Sequence, residues 1–278
     1  MSKAFSIPNR HGDLIRGDIH LPVNTERAPV VIICHGFKGF KDWGGFPYAA
    51  EHLALHGFVA IRFNFSMNGV EDDFMNFTAL HRFAKNTISR ELDDLGDLLD
   101  AIARDGFLPE DVDTKRIALI GHSLGGGVVL VCGSTDDRVS AVITWAGVAD
   151  FDRWGKQTKG IWREKGRLEI ENARTGQMMP MDVVMLDDLE MHTEAFDIPA
   201  AASRMNKPLL IVHGEQDVSV SIDEGKKIAS AASEGRCTFV PVPNTDHTFG
   251  IRHPFDGTTP AFLKVLETSC TWLDDQLA

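Results

Sequence analysis

Short apolar runs alternate with stretches of helical periodicity along most of this chain. Apolar runs of this length, bounded by glycine, proline or charged residues, predict buried strands, and the stretches between them predict amphipathic helices. Such alternation indicates an α/β fold with a parallel sheet, right-handed crossovers and helices on both faces. The predicted strands are 30–34, 57–63, 117–121, 139–145, 208–213 and 236–241, after two strands within 4–22 that a turn at 9–13 joins; the predicted helices are 48–56, 87–105, one beginning at Gly125, 221–232 and 259–276.

The helix predicted over 87–105 is amphipathic. Leucine or isoleucine occupies positions 88, 92, 95, 98, 99 and 102, which is the spacing of a single apolar face. We expect its remaining positions to face water, and we assign no chemistry to the aspartates among them. These are Asp93, Asp94, Asp97 and Asp100.

Residues 147–206 interrupt the alternation, because about sixty residues separate two predicted strands, too many for a plain loop. We interpret this segment as a cap over a core formed by 1–146 and 207–278. Methionines in it would form an adaptable apolar wall of a pocket, or else pack the cap onto the core. The expected substrate-binding residues are Trp154, Met178, Met181 and Met185, with Trp162, Met179 and Met191 as further apolar residues of the cap. The basic stretch 150–174 fits a solvated face, or a surface that attracts an anionic substrate.

Composition and charge exclude several classes of protein. The chain has 278 residues, 43% of them hydrophobic, and a net charge of −12 without a basic block, so we expect no nucleic-acid partner. No apolar leader or spanning run is evident, which favours a cytoplasmic protein. We expect Cys34, Cys132, Cys237 and Cys270 to be reduced, and the first three to be buried. No C-x-x-C or H-E-x-x-H spacing suggests a metal, and no cofactor is expected.

The segment Gly121-His-Ser-Leu-Gly125 is the strongest chemical signal. It matches the pattern G-x-S-x-G, with a predicted strand before it and a predicted helix after it. A serine on such a tight turn has an exposed hydroxyl at a helix N-terminus, and small neighbours let the backbone pass close to adjacent elements. We therefore predict Ser123 as a nucleophile.

A serine nucleophile of this kind requires an acid and a histidine later in the chain, in that order. Asp217 follows the predicted strand 208–213, and His247 follows the next predicted strand. Asp246 and Asp150 are rival acids. Asp246 adjoins the histidine in sequence and is poorly placed to reach its ring, whereas Asp150 follows the sixth strand, so we prefer Asp217.

The segment His35-Gly-Phe-Lys-Gly39, after strand 30–34, is predicted to form an oxyanion hole. The expected donors are the backbone N–H groups of Phe37 and Leu124. We expect His35 to brace this loop rather than to contact substrate. Two polar side chains that follow a neighbouring strand, Ser66 and Asn68, are further candidates for holding the loop.

Taken together, these motifs resemble the α/β-hydrolase superfamily over nearly the whole chain. They stand at 35–39, 121–125, 213–217 and 246–248. Within the superfamily the chain resembles the dienelactone-hydrolase-like and cinnamoyl (feruloyl) esterase-like hydrolases. Dienelactone hydrolases proper carry cysteine as nucleophile, so Ser123 favours ordinary ester hydrolysis. Haloalkane dehalogenases need an aspartate at the position that Ser123 occupies, so the chain departs from that group.

The resemblance implies an α/β-hydrolase fold with a small cap after the sixth strand. It also implies a carboxylesterase that acts on small or aromatic acyl esters through Ser123, Asp217 and His247. A serine peptidase or amidase shares this machinery and stays an alternative, as does a non-catalytic binding protein on the same scaffold. The expected partner is a small-molecule ester, and a homodimer is an open alternative for the assembly.

Overall fold

Eight strands form a mostly parallel central sheet in the computed structural model, which describes residues 2–71, 73 and 75–278. Their spatial order is β1-β2-β4-β3-β5-β6-β9-β10, and only the β1–β2 and β2–β4 pairs within this sheet are antiparallel. Two further strands, β7 and β8, form a separate hairpin. The strands of the described residues are β1 (Ser2–Pro8), β2 (Leu14–His20), β3 (Pro29–Cys34), β4 (Val59–Asn64), β5 (Asp113–His122), β6 (Val139–Trp145), β7 (Arg167–Glu171), β8 (Met178–Asp182), β9 (Leu209–Gly214) and β10 (Cys237–Val242). The predicted fold class is confirmed.

Helices cover both faces of this sheet. Side chains alternate between the faces along each strand, so Ile32 packs into one apolar cluster and Ile33 into the other. Helices α1 and α9 cover one face, whereas α3, α4 and α8 cover the other. Within the described residues the helices are α1 (Phe46–Leu55), α2 (Leu80–Phe83), α3 (Ile88–Ile102), α4 (Leu124–Thr135), α5 (Lys156–Lys165), α6 (Val184–Met191), α7 (Ile198–Arg204), α8 (Ile222–Ala231) and α9 (Pro260–Gln276).

The register of the parallel strands aligns their carboxyl ends. Cys34 at the end of β3 pairs with Gly121 of β5, and His122 pairs with Trp145 at the end of β6. The loops after β3, β5, β9 and β10 therefore open at one edge of the sheet, where ligands bind in open α/β sheets.

One aspartate of α3 is not on a solvated face. Asp94 is only 1% exposed, and its carboxylate accepts hydrogen bonds from Asn9 Nδ2 at 2.7 Å and from the N–H of Ser66 at 2.6 Å. The prediction that all four aspartates face water is thus wrong for Asp94. It ties the β1–β2 turn and the loop after β4 to α3, whereas Asp93 pairs with Arg10 at the surface.

We expect Asp94→Ala to lower the free energy of unfolding by about 2–4 kcal/mol, because it leaves buried donors without an acceptor. The matched control, Asp93→Ala, removes only exposed ion pairs and should cost about 0–1 kcal/mol. Urea unfolding of both variants measures the difference. Equal losses in the two variants would contradict the structural role given to Asp94.

The segment after β6 carries α5, the antiparallel β7–β8 hairpin, α6 and α7. The indole N–H of the buried Trp162 donates to the carbonyl of Met181 at 2.8 Å, which fastens α5 to the hairpin. Helix α7 packs on α4 and α8 of the main layer. The five methionines of this segment differ in exposure: Met179, Met181 and Met185 are buried, whereas Met178 and Met191 are exposed.

All four cysteines carry free thiols. Cys34, Cys132 and Cys270 are buried, but Cys237 at the start of β10 is partly exposed, in contrast to the prediction.

Within the described part of the chain, no helix combines the length and the apolar character that crossing a bilayer requires.

Candidate active site

Ser123 occupies a strained turn between β5 and α4. Its backbone has φ 58° and ψ −120°, a conformation that non-glycine residues rarely adopt. The flanking glycines make this turn sterically feasible: a Cβ on Gly121 would lie 2.2 Å from the carbonyl oxygen of Gly125, and a Cβ on Gly125 would lie 2.4 Å from that of His35. The glycine pattern seen in the sequence therefore has a packing reason.

Asp217 and His247 are brought together from the loops after β9 and β10. His247 Nδ1 lies 2.7 Å from Asp217 Oδ2, and the N–H groups of Ser219 and Val220 both donate to Oδ1 at 2.9 Å. Burial by itself raises the pKa of Asp217, but hydrogen bonds from His213, His247 and Val220 outweigh it and hold this pKa well below its usual range. The carboxylate is therefore ionised and keeps the Nδ1 proton of His247 in place.

Neither rival acid is hydrogen-bonded to His247. Asp150 is exposed, and its carboxylate accepts the N–H of Asp152. Asp246 is also exposed and accepts the N–H groups of Thr248 and Gly250, so that it closes the turn after the histidine. Both carboxylates serve local loop structure.

Two further histidines surround this pair, and neither was predicted. His213 Nε2 lies 2.8 Å from the carbonyl of Val220 and 3.5 Å from Asp217 Oδ2, which fixes the loop that carries the acid. His122 Nε2 lies 3.0 Å from the carbonyl oxygen of His247, and burial lowers the pKa of His122 to about 3. The sequence offered one signal for them: His122 directly precedes Ser123, and His213 lies at the end of β9, before the loop that carries Asp217.

The loop after β3 approaches the turn that carries Ser123. A Cβ on Gly36 would lie 2.8 Å from Ser123 Cβ and 3.4 Å from the backbone nitrogen of Leu124. Within residues 2–71, 73 and 75–278, neither the Phe37 N–H nor the Leu124 N–H donates a hydrogen bond. Two free N–H groups beside a serine hydroxyl fit the predicted oxyanion hole.

His35 and Asn68 contact this loop, but Ser66 does not. The N–H of Phe65 donates to His35 Nε2 at 3.3 Å, so His35 Nδ1 carries the proton and donates to the Gly36 carbonyl at 3.0 Å. Asn68 Nδ2 lies 3.5 Å from the Gly39 carbonyl. Ser66 Oγ instead accepts from Asn9 at 3.2 Å, so of the two candidates for holding the loop only Asn68 contacts it.

His35 makes stability depend on pH. Burial lowers its pKa from 6.5 to about 4, so the unfolded chain binds the proton first and stability is lost as pH falls from about 6.5 towards 4. We expect the stability advantage of wild type over His35→Gln to shrink by about 2–3 kcal/mol between pH 7 and pH 4.5. Urea unfolding at both pH values measures this, with the exposed His81→Gln as control. A pH-independent difference between wild type and His35→Gln would contradict it.

A cavity of about 360 Å³ opens beside Ser123 and His247, and most of its walls are apolar. Of the four expected substrate-binding residues, Trp154, Met181 and Met185 line it. Met178 does not: its side chain is 49% exposed and lies outside the cavity, because the β7–β8 hairpin turns alternate side chains to opposite faces. Trp162 packs edge-on against Trp154 behind the wall.

A second cavity of about 220 Å³ shares Ser123 and His247 but differs in character. Lys38 and Arg174 line it, and among the residues that the structure describes no carboxylate does. Arg174 Nη2 and Asn172 Nδ2 are both enclosed without a hydrogen-bond partner in the described part of the chain. The two cationic side chains on its wall make this cavity suitable for an anionic group.

The sheet order, the strained serine turn and the loops at its carboxyl edge define an α/β hydrolase. The sequence model of the dienelactone hydrolase family matches residues 15–175, more than half of the chain. The chain therefore belongs to the dienelactone hydrolase family, and it is a hydrolase, as the sequence resemblance predicted.

Individual proteins resemble this chain at sequence identities of 20–24%. A curated relative, the 2,6-dihydropseudooxynicotine hydrolase of Paenarthrobacter nicotinovorans, is 24% identical across 72% of this chain and 47% of that protein. An uncharacterized 31.7 kDa protein of Escherichia coli is 23% identical over 77% of this chain and 82% of its own length. Est1E from Butyrivibrio proteoclasticus shares the fold with a TM-score of 0.68 at 20% identity, over 98% of both chains.

Proposed function

We propose that this protein is a serine hydrolase that cleaves carboxylic esters of small or aromatic acyl groups through Ser123, His247 and Asp217. The observation that carries the proposal is the 2.7 Å contact between Asp217 Oδ2 and His247 Nδ1, beside a serine held at φ 58° in the same cavities as His247. A carboxylate that orients a histidine next to a strained serine is the arrangement that acyl transfer requires.

In this mechanism His247 Nε2 accepts the proton of Ser123 as Oγ attacks the ester carbonyl. The ionised Asp217 stabilises the imidazolium that forms, because it already holds the Nδ1 proton. The N–H groups of Phe37 and Leu124 stabilise the oxyanion, a contribution of about 3 kcal/mol for each donor in related sites. His247 then protonates the leaving alcohol, and a water activated by the same histidine cleaves the acyl-enzyme.

The two cavities beside Ser123 support a substrate of mixed character. One side of the ester would occupy the apolar cavity lined by Trp154 and Met185, and the other would place an anionic group near Lys38 and Arg174. Est1E, whose fold this chain shares, has been solved with ferulic acid bound. Aryl esters that carry a carboxylate are therefore the first substrates to try.

We expect a carboxylate-bearing ester to be hydrolysed with a kcat/KM at least about tenfold above that of its neutral isostere, which corresponds to about 1.4 kcal/mol. Arg174→Gln should remove that preference while changing the rate of the neutral ester little. Arg163→Gln, which alters an exposed ion-paired arginine of α5, is the matched control. Two pairs of esters are compared, each a carboxylate-bearing ester with its neutral isostere. One pair carries the carboxylate on the acyl group and the other on the alcohol, so both orientations of the ester in the two cavities are tested. Absence of a preference in both pairs would refute the anionic subsite.

The test of the activity itself is hydrolysis of p-nitrophenyl esters from acetate to decanoate, methyl ferulate and chromogenic peptide amides. Turnover of esters with little turnover of amides would support the proposal, and the optimal chain length would report the depth of the apolar cavity. Faster cleavage of the amides would favour a peptidase or amidase on the same residues. No turnover of any substrate would favour a binding protein.

A further inference from the structure

Three side chains with metal-binding chemistry meet between α1 and α9. His52 lies in the last turn of α1, His56 caps the C-terminal end of that helix four residues later, and Cys270 lies opposite them on α9. One ligand atom from each residue lies within 4.8 Å of the other two. None of the three lines either cavity beside Ser123, so the proposed ester hydrolysis gives the cluster no task.

The orientation of His56 leaves one ring nitrogen available. His56 Nδ1 lies 2.8 Å from the carbonyl oxygen of His52, so Nδ1 carries the proton and donates it to that carbonyl. The lone pair of Nε2 is then free to bind a metal. A hydrogen bond from the other ring nitrogen to a backbone carbonyl is the usual way in which proteins orient a metal-ligating histidine.

His52 Nε2 and the side chain of Cys270 are enclosed at the interface of α1 and α9. His52 Nε2 is buried and has no hydrogen-bond partner within the residues the structure describes, and Cys270 is only 1% exposed. A buried nitrogen without a partner is costly, and a metal ion bound to it would remove that cost. The negative charges of Glu267 and Asp274, on the same helix as Cys270, act on this cluster and would offset the charge of a cation.

We propose that His52, His56 and Cys270 form a binding site for Zn²⁺ that links α1 to α9. Two imidazoles and a thiolate suit this borderline-soft ion, whereas Mg²⁺ and Ca²⁺ prefer oxygen ligands. Ligand atoms around tetrahedral Zn²⁺ lie about 3.3–3.6 Å apart, so each pair of ligand atoms, now within 4.8 Å, needs to approach by at most about 1.5 Å. A water molecule supplies the fourth ligand, and binding releases the thiol proton of Cys270 to solvent.

The site is structural in character. Its ligands join two helices that pack on the same face of the sheet, so the bound ion stabilises the folded chain by mass action without touching the substrate. We accordingly expect Zn²⁺ to raise the melting temperature of the full-length protein and to leave ester turnover unchanged.

The experiment is metal binding to the full-length protein after chelator treatment, with Zn²⁺ for stoichiometry and Co²⁺ as a spectroscopic probe. We expect about one Zn²⁺ per chain to remain after gel filtration, and a thiolate-to-cobalt charge-transfer band in the near ultraviolet. His56→Ala, an exposed position, and Cys270→Ala should both reduce retained Zn²⁺ at least tenfold. Cys270→Ala should also abolish the band.

The matched controls are His81→Ala, on the exposed part of α2, and Cys237→Ala, on β10; both should bind as wild type does. Circular dichroism of each variant separates loss of binding from loss of folding, and His56→Ala keeps the test valid if Cys270→Ala does not fold. Substoichiometric Zn²⁺ in wild type, equal binding by His56→Ala, or a cobalt band that disappears in Cys237→Ala instead of Cys270→Ala would each overturn the proposal.

Discussion

Replacing Ser123 by alanine is expected to lower kcat for ester hydrolysis by at least about 10⁴-fold, because nucleophile, base and orienting acid act as one unit. Removal of Oγ leaves no atom to form the acyl-enzyme. The fold should persist, since alanine occupies less space and Ser123 anchors the turn through its backbone N–H, which donates to the Trp145 carbonyl at 2.9 Å. Turnover and melting temperature are measured on the same preparation.

The control for this prediction is Ser134→Ala, at the far end of the same helix, where the hydroxyl donates to the Val131 carbonyl and accepts from Arg204 Nε. It should retain activity within a few-fold of wild type. A fluorophosphonate probe, which labels activated serines, should modify the peptide that contains Ser123 in wild type. Undiminished turnover in Ser123→Ala, or labelling at another serine, would refute the proposed nucleophile.

Asp217→Asn is expected to lower kcat by about 10³–10⁴-fold while changing KM little. The carboxamide is nearly isosteric, so the loop bonds from Ser219 and Val220 to the side-chain oxygen can persist. What is lost is the negative charge that holds the Nδ1 proton of His247 and stabilises the imidazolium. A kcat effect without a KM effect is therefore the expected signature of an orienting acid.

Asp150→Asn is the matched control for the acid, because this carboxylate follows the sixth strand and is exposed. It should retain nearly full activity. Loss of turnover in Asp150→Asn with activity retained in Asp217→Asn would reverse the assignment, and would mean that the acid acts from the loop after β6. The double variant tests whether one residue substitutes for the other.

Much of the fold was predictable from local pattern. Strand β3, predicted at 30–34, spans Pro29–Cys34, and α3, predicted at 87–105, spans Ile88–Ile102 behind a Thr87 cap that accepts the N–H of Arg90. Both elements have strong periodicity and recognisable end signals. The order of the elements then leads to a parallel sheet whose carboxyl edge gathers the loops with Ser123, Asp217 and His247.

Local pattern failed where one residue's environment depends on distant segments. Asp94 looks solvated on a helical wheel, yet it is buried, because Asn9 and Ser66 reach it from positions 85 and 28 residues away. Met178 has the apolar, flexible side chain typical of a pocket residue, but it points away from the cavity, since a hairpin presents alternate side chains to opposite faces. In both residues, chemical type was a poor guide to position.

The sequence by itself determined the class of fold and the family, and it named the residues that we propose for acyl transfer, because these depend on periodicity and on short motifs with a steric reason. Only the tertiary structure decided that Asp217, and not Asp150, contacts His247, that Arg174 and Lys38 line one cavity, and that Cys270 faces His52 and His56. Such contacts join segments that are far apart in the chain, and the packing of helices on the sheet determines them.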